Sequence, residues 1–183
     1  ISDQSTFVRY SLQNAATAVI SGAILAMLVV YFFLGSLKRT LIIGSAIPLA
    51  ILFTFIIMAI GDLTLNIMTL GALALGVGLL IDSTIVMLEN ITRHQQLGEN
   101  IQDASLHAAQ EINSAIVAST STNLAAILPF LFIGGLTGLL FSELVFVLTA
   151  AILASLVVAI TVVPSLGSQI KEIPVKDSPV KNI

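Results

Sequence analysis

Cysteine is absent from the 183 residues, and charge is scarce: seven Lys and Arg and ten Asp and Glu make up 9% of the chain. The first absence excludes disulfides and thiolate metal sites. The second excludes an ordinary soluble domain, which is about 25% charged and must cover its surface with polar groups. No basic patch of the nucleic-acid-binding kind occurs, and the net charge is only −3. The chain opens ISDQSTFVRY, without an initiator Met or the basic n-region of a signal peptide, so it is expected to be a piece of something longer. What it has in excess is hydrocarbon: 57% hydrophobic residues and a mean hydropathy of +1.07. These numbers describe an integral, all-α membrane protein.

A helix needs about 20 mostly apolar residues to cross a bilayer. Five stretches qualify: Ala15–Leu37, Leu41–Ile60, Ile67–Leu88, Ala115–Ile133 and Leu144–Val163. Residues 15–170 are therefore read as a five-helix bundle, preceded by a lead-in over Ile1–Asn14 and followed by a polar tail over 171–183. Lys38 and Arg39 end the first span, Gly61 and Asp62 the second, and Pro164 is expected to close the fifth. With five spans, Lys38, Arg39, Arg93, Lys171, Lys176 and Lys181 fall on one side and Arg9 on the other. That asymmetry places the C-terminus in the cytoplasm and the N-terminus outside.

One connection is long, Glu89–Ser114. In it Leu97, Ile101, Ala104, Ala108 and Ile112 recur at helical spacing, with Asn100 and Asp103 as an N-cap and N3 pair. The pattern predicts a cytoplasmic amphipathic helix near Asn100–Ile112 lying on the inner membrane surface, with a solvated connector helix as the alternative. His94 and His107 lie in this connection as isolated surface histidines. No metal site and no cofactor is expected.

The third span carries the one carboxylate well inside hydrocarbon, Asp82, in GVGLLIDSTIVMLEN (Gly76–Asn90). A charge at the bilayer centre costs roughly 2.5–3.5 kcal/mol even on a lenient insertion scale, so Asp82 needs a purpose. Gly71, Ala74, Gly78, Asp82 and Glu89 share one helix face. Small residues let a neighbouring helix close in, so this face is expected to pack, with Asp82 buried among helices. Glu89, about 10 Å further along, reads as an interfacial cap. The polar run Ser119-Thr120-Ser121-Thr122-Asn123 in the fourth span offers partners, although such hydroxyls often bond back to their own helix. Asp82 and Ser83, with Thr120, Thr122 and Asn123, form the candidate proton relay.

These residues resemble a known family. GALALGVGLLIDSTIVMLENI (Gly71–Ile91) is similar to the fourth transmembrane helix of the resistance–nodulation–division (RND) efflux pumps. LTLNIMTLG (Leu63–Gly71) resembles the lead into that helix, Pro48 sits in the preceding span, and PFLFIGGLTGLLFSEL (Pro129–Leu144) resembles the FxGGxxGxxF-like turn between helices five and six. The resemblance implies helices two to six of the first membrane repeat, with Ile1–Asn14 leading out of a porter domain, and a secondary active transporter, not an enzyme. It places Asp82 on the family's proton-relay aspartate; where many drug exporters carry a second aspartate this chain has Ser83. It further implies an inner-membrane proton antiporter exporting a drug-like or hydrophobic substrate, in contact with the lipid bilayer, a second membrane repeat and a porter domain. A homotrimeric parent, an adaptor and an outer-membrane channel belong to the same implication. A heavy-metal-exporting branch and a sterol-sensing-like regulatory module are the alternatives. An intramembrane aspartyl protease needs two facing aspartates, one in GxGD, and here Gly76-Val77-Gly78 is followed by Leu79.

Overall fold

The computed structural model describes residues 4–169; Ile1–Asp3 and the expected polar tail over 171–183 lie outside the described residues. Five long helical rods follow one another, with no strand among the described residues. They are α1 (Gln4–Leu34), α2 (Leu37–Ile60), α3 (Ile67–Gln96), α4 (Ile101–Ile127, prolonged by a 3-10 turn, Leu128–Phe132) and α5 (Gly135–Val157). A π-helical turn, Val158–Val162, carries α5 on into the short α6, Val163–Gly167. Leu37–Ile60, Ile67–Gln96, Ile101–Phe132 and Thr137–Gly167 are long and apolar enough to cross a membrane, and α1 adds the shorter apolar stretch Ile20–Phe32.

Local chemistry sets the breaks. Gly35 (φ +58°) and Gly98 (φ +94°) adopt the left-handed conformation that ends a helix without a Cβ penalty. Asn66 starts α3 with a full capping box: its side chain accepts from Met68 and Thr69 N–H, and the Thr69 hydroxyl accepts from the Asn66 N–H. Asn100 starts α4 by accepting from Gln102 and Asp103 N–H at 3.0 Å each.

Several boundaries depart from the sequence reading. Lys38 and Arg39 do not end the first span: the break falls at Gly35 and Ser36, and both basic residues lie in the first turn of α2. The last long helix starts at Gly135, nine residues before the expected Leu144. The surface helix expected over Asn100–Ile112 does not form as a separate element. It is the first half of α4, continuous with the fourth span, and only Leu97–Asn100 separate it from α3. From Ala104 on, the apolar stripe that suggested an interfacial helix is buried against protein: Ala108 joins Met87, Leu88 and Ile91 in the core, with Ile112 half-buried beside them, while Leu97 stays exposed. No Gly or Pro interrupts Ile101–Ser114, so two helices already paired in the membrane stay paired beyond it. Pro164 likewise does not close the last rod. Its missing N–H is absorbed where the Val163 N–H bonds back to Val158 O across the π-helical turn, and the helix runs on to Gly167.

α3 is the central rod, packing most extensively on α5 and also on α4, α2 and α1. It approaches α5 closely at Gly76, where an added Cβ would sit 2.3 Å from Ala151 Cβ. Within lipid there is little hydrophobic drive between helices, so such close van der Waals contact is what holds them. Outward faces carry the large apolar side chains lipid requires, among them Phe32, Ile60, Phe132 and Leu139. Several buried hydroxyls are satisfied within their own helix: Thr54 donates to Ala50 O at 2.7 Å and Thr84 to Leu80 O at 2.9 Å.

The FxGGxxGxxF-like turn has a direct steric cause. Gly135 takes φ +74° to start α5, and a Cβ on Gly138 would lie 2.0 Å from the Ile133 carbonyl oxygen. Phe130 and Phe141 stack across the turn with ring centroids 5.6 Å apart. Gly138→Ala is expected to cost about 1–3 kcal/mol, the usual penalty of overpacking, read as a lower unfolding midpoint of the detergent-purified protein. An unchanged midpoint would show that the turn relaxes freely.

Candidate functional site

Asp82 lies mid-way along α3, and its side chain is exposed. So are Gly71, Ala74, Gly78 and Glu89, the rest of its face. A Cβ added to Gly71 or Gly78 meets nothing within 4 Å. The expectation that this face packs within the chain is therefore corrected. The sequence offers two small-residue stripes on α3, and the one that closes on α5 passes through Ala72 and Gly76, both buried. Helical spacing alone ranks neither stripe above the other.

The expected relay partners are not assembled around Asp82, which makes no hydrogen bond or ion pair with any described residue. Ser83, half-buried, donates to Leu79 O at 3.3 Å. In α4 the exposed Ser121 and Thr122 donate to Val117 O at 2.8 Å and Ala118 O at 3.0 Å. These hydroxyls serve their own helix. Thr120 is buried on the stripe that faces the bundle, in line with Ala108, Ile112 and Ile116, and Asn123 is half-buried one turn on.

Both ends of α3 are tied down. At its start the Asn66 amide donates to the Glu143 carboxylate of α5. Towards its other end an open cavity of about 920 Å³ is lined by Arg39, Glu89, Asn90, Arg93 and Glu111. The same end holds the close of α6, where Gly167 approaches Ile91 and Leu88. Arg39, Arg93 and the end of the last rod thus gather at one end of the bundle.

That end also carries a cluster that the sequence reading did not assemble. Gly98 N–H donates to Gln95 O at 3.1 Å and Glu99 N–H to His94 O at 3.3 Å, the two bonds of a Schellman ending. The turn sets Glu99 beside the last turn of α3, and α4, capped by Asn100, brings His107 back over it. The Glu99 carboxylate meets His94 Nδ1 at 2.9 Å and His107 Nδ1 at 2.8 Å. Glu111, further along α4, meets His94 Nε2 at 2.9 Å and Arg93 at 2.6 Å, and accepts from Asn90 at 3.3 Å. The hydrogen bonds to Glu99 and then Glu111 raise the His94 pKa. His94, then His107, lowers that of Glu99. His94, Arg93 and Asn90 in turn hold Glu111 down at about 2. The histidines are not isolated, and Gly98 followed two residues on by Asn100 was the signal. A helix stop and a helix start two residues apart force a tight hairpin, which makes the flanking turns neighbours.

The model of the AcrB/AcrD/AcrF family matches residues 1–177, nearly the whole chain. The chain's succession of long apolar helices accords with that match. The chain belongs to the AcrB/AcrD/AcrF family of RND transporters and is part of its membrane region.

Proposed function

We propose that this membrane region couples proton entry to export, with Asp82 as the group that loads and unloads the proton. One observation carries the reading: a lone carboxylate in mid-span stands on an exposed stripe of Gly71, Ala74 and Gly78, without a partner among the described residues. Left facing lipid, its ionised form costs roughly 2.5–3.5 kcal/mol. A stripe of small residues instead admits another helix at close range. The second membrane repeat of the parent transporter is the occupant that fits, and it would bring the counter-charge this chain lacks within its spans. Protonated and ionised Asp82 then favour different packings of the two repeats, and that difference drives the porter domain.

Ser83, Thr120, Thr122 and Asn123 belong to the proposed relay as a second tier. Thr120 and Asn123 are the better placed, since Ser83 and Thr122 are occupied by their own backbone. The clustering of Arg39 and Arg93 supports a cytoplasmic location for the α3–α4 turn, an external N-terminus and an inner-membrane setting. The parent is proposed to be a homotrimer working with an adaptor and an outer-membrane channel. The exported solute is drug-like or hydrophobic; Ser83, in place of a second aspartate, favours the heavy-metal branch as the second reading.

The test uses the parent transporter in proteoliposomes with an imposed pH gradient. A protonophore is expected to stop export. A hydrophobic carbodiimide, which attacks protonated carboxyls, is expected to label the peptide containing Asp82 and to inhibit. Export that persists after the pH gradient is collapsed would rule out proton coupling.

A further inference from the structure

We propose that His94, Glu99 and His107 form a binding site for a divalent transition-metal ion of the zinc class, at the turn between α3 and α4. Two imidazoles and one carboxylate are a donor set that zinc and its neighbours take, with water completing the shell. The three ligand atoms lie within 4.8 Å of one another. Bonds of about 2.0–2.2 Å in a tetrahedron put ligand atoms roughly 3.3–3.5 Å apart, so the Glu99 oxygens, 2.9 and 2.8 Å from the two Nδ1 atoms, open by about half an ångström to seat the ion. His94 and Glu99 are largely covered, whereas the His107 side chain is 52% exposed. The ion therefore has an open side for access and for a bound water.

The surroundings match a metal site independently of the ligand count. Metal-bound histidines commonly give their far nitrogen to a carboxylate, which fixes the tautomer and ring orientation. Glu111 holds that position on His94 Nε2 and is itself anchored by Arg93 and Asn90. Both Nδ1 atoms converge on the one Glu99 carboxylate, so the three donors already face a common point. The ion clamps the last turn of α3 to the second turn of α4, about 18 Å from Asp82 along the same helix at 1.5 Å per residue. The inference is independent of the Asp82 relay, and its test reads metal content instead of export.

The parent transporter in lipid nanodiscs is stripped with chelator and dialysed against micromolar zinc sulfate. Elemental analysis is expected to find one zinc per chain, and cobalt in its place to give the visible ligand-field bands of a low-coordinate site. Glu99→Gln and His107→Ala are expected to weaken zinc binding at least tenfold. Glu111→Gln, which only orients His94, should cost roughly 10–100-fold, and Asp103→Asn, an acidic neighbour outside the set, nothing. Metal-free unfolding midpoints equal to that of the unaltered protein establish that the variants are folded. Zinc retained equally by a His94→Ala/His107→Ala double variant, or cobalt showing only the spectrum of the hydrated ion, overturns the site.

Discussion

Asp82→Asn in the parent transporter is expected to leave insertion and folding intact while export driven by a pH gradient falls to the uncoupled background. Asparagine has nearly the shape of aspartate, and no described residue depends on Asp82 for a hydrogen bond, so this bundle loses no contact. What disappears is the ionised state. A carboxyl group in hydrocarbon is cheap when protonated and costly when charged, and a cycle that visits both states stores the proton gradient as a packing difference between repeats. Asparagine holds the protein in the neutral arrangement. Ser83→Ala is the matched control: its hydroxyl only returns a bond to Leu79 O, and export should stay near the unaltered rate. Abundance and the unfolding midpoint, measured together with transport, separate lost coupling from lost protein. Export by the Asn variant at the unaltered rate would remove Asp82 from the mechanism.

The rods were legible because hydrocarbon thickness dictates their length, and runs such as Leu41–Ile60 reach it without a charge. One end was legible where the residue breaks helices, as at Gly61 after Ile60. Less legible was anything decided by a neighbour distant in sequence. Ile101–Ile112 has the same pattern whether its apolar stripe meets lipid headgroups or Ile91, and only the pairing of α3 with α4 decides between them. Pro164 reads as a stop in isolation, yet a π-helical turn lets the chain continue. The His94–Glu99–His107 cluster depends on a hairpin whose tightness comes from Gly98 and Asn100 together. Asp82 stands out in the sequence because its cost in hydrocarbon is intrinsic to the residue. Its surroundings were misplaced because they depend on which helix comes to cover it.

The two glycine stripes of α3 give a second large contrast. Gly76→Leu is expected to break the bundle, because even a Cβ there lies 2.3 Å from Ala151 Cβ, and the three further carbons have nowhere to go. Overpacking of this kind costs about 1–3 kcal/mol for smaller insertions, and a rigid helix-to-helix contact sits at or above the top of that range. The measured consequence is loss of folded protein or a sharply lower unfolding midpoint, for the chain alone and for the parent alike. Gly78→Leu, two residues away, meets nothing within 4 Å in this chain, so the 183-residue chain in detergent should unfold at its usual midpoint. In the parent the same leucine stands one turn from Asp82 on the stripe proposed to mate with the second repeat. There it should hold the repeats apart and depress export while abundance stays normal. The opposite pattern, Gly76→Leu tolerated and Gly78→Leu destabilising the isolated chain, would mean that the inner and outer faces of α3 are assigned the wrong way round. Normal export by the Gly78→Leu parent would mean that the exposed stripe faces lipid, leaving the charge on Asp82 without the partner its position demands.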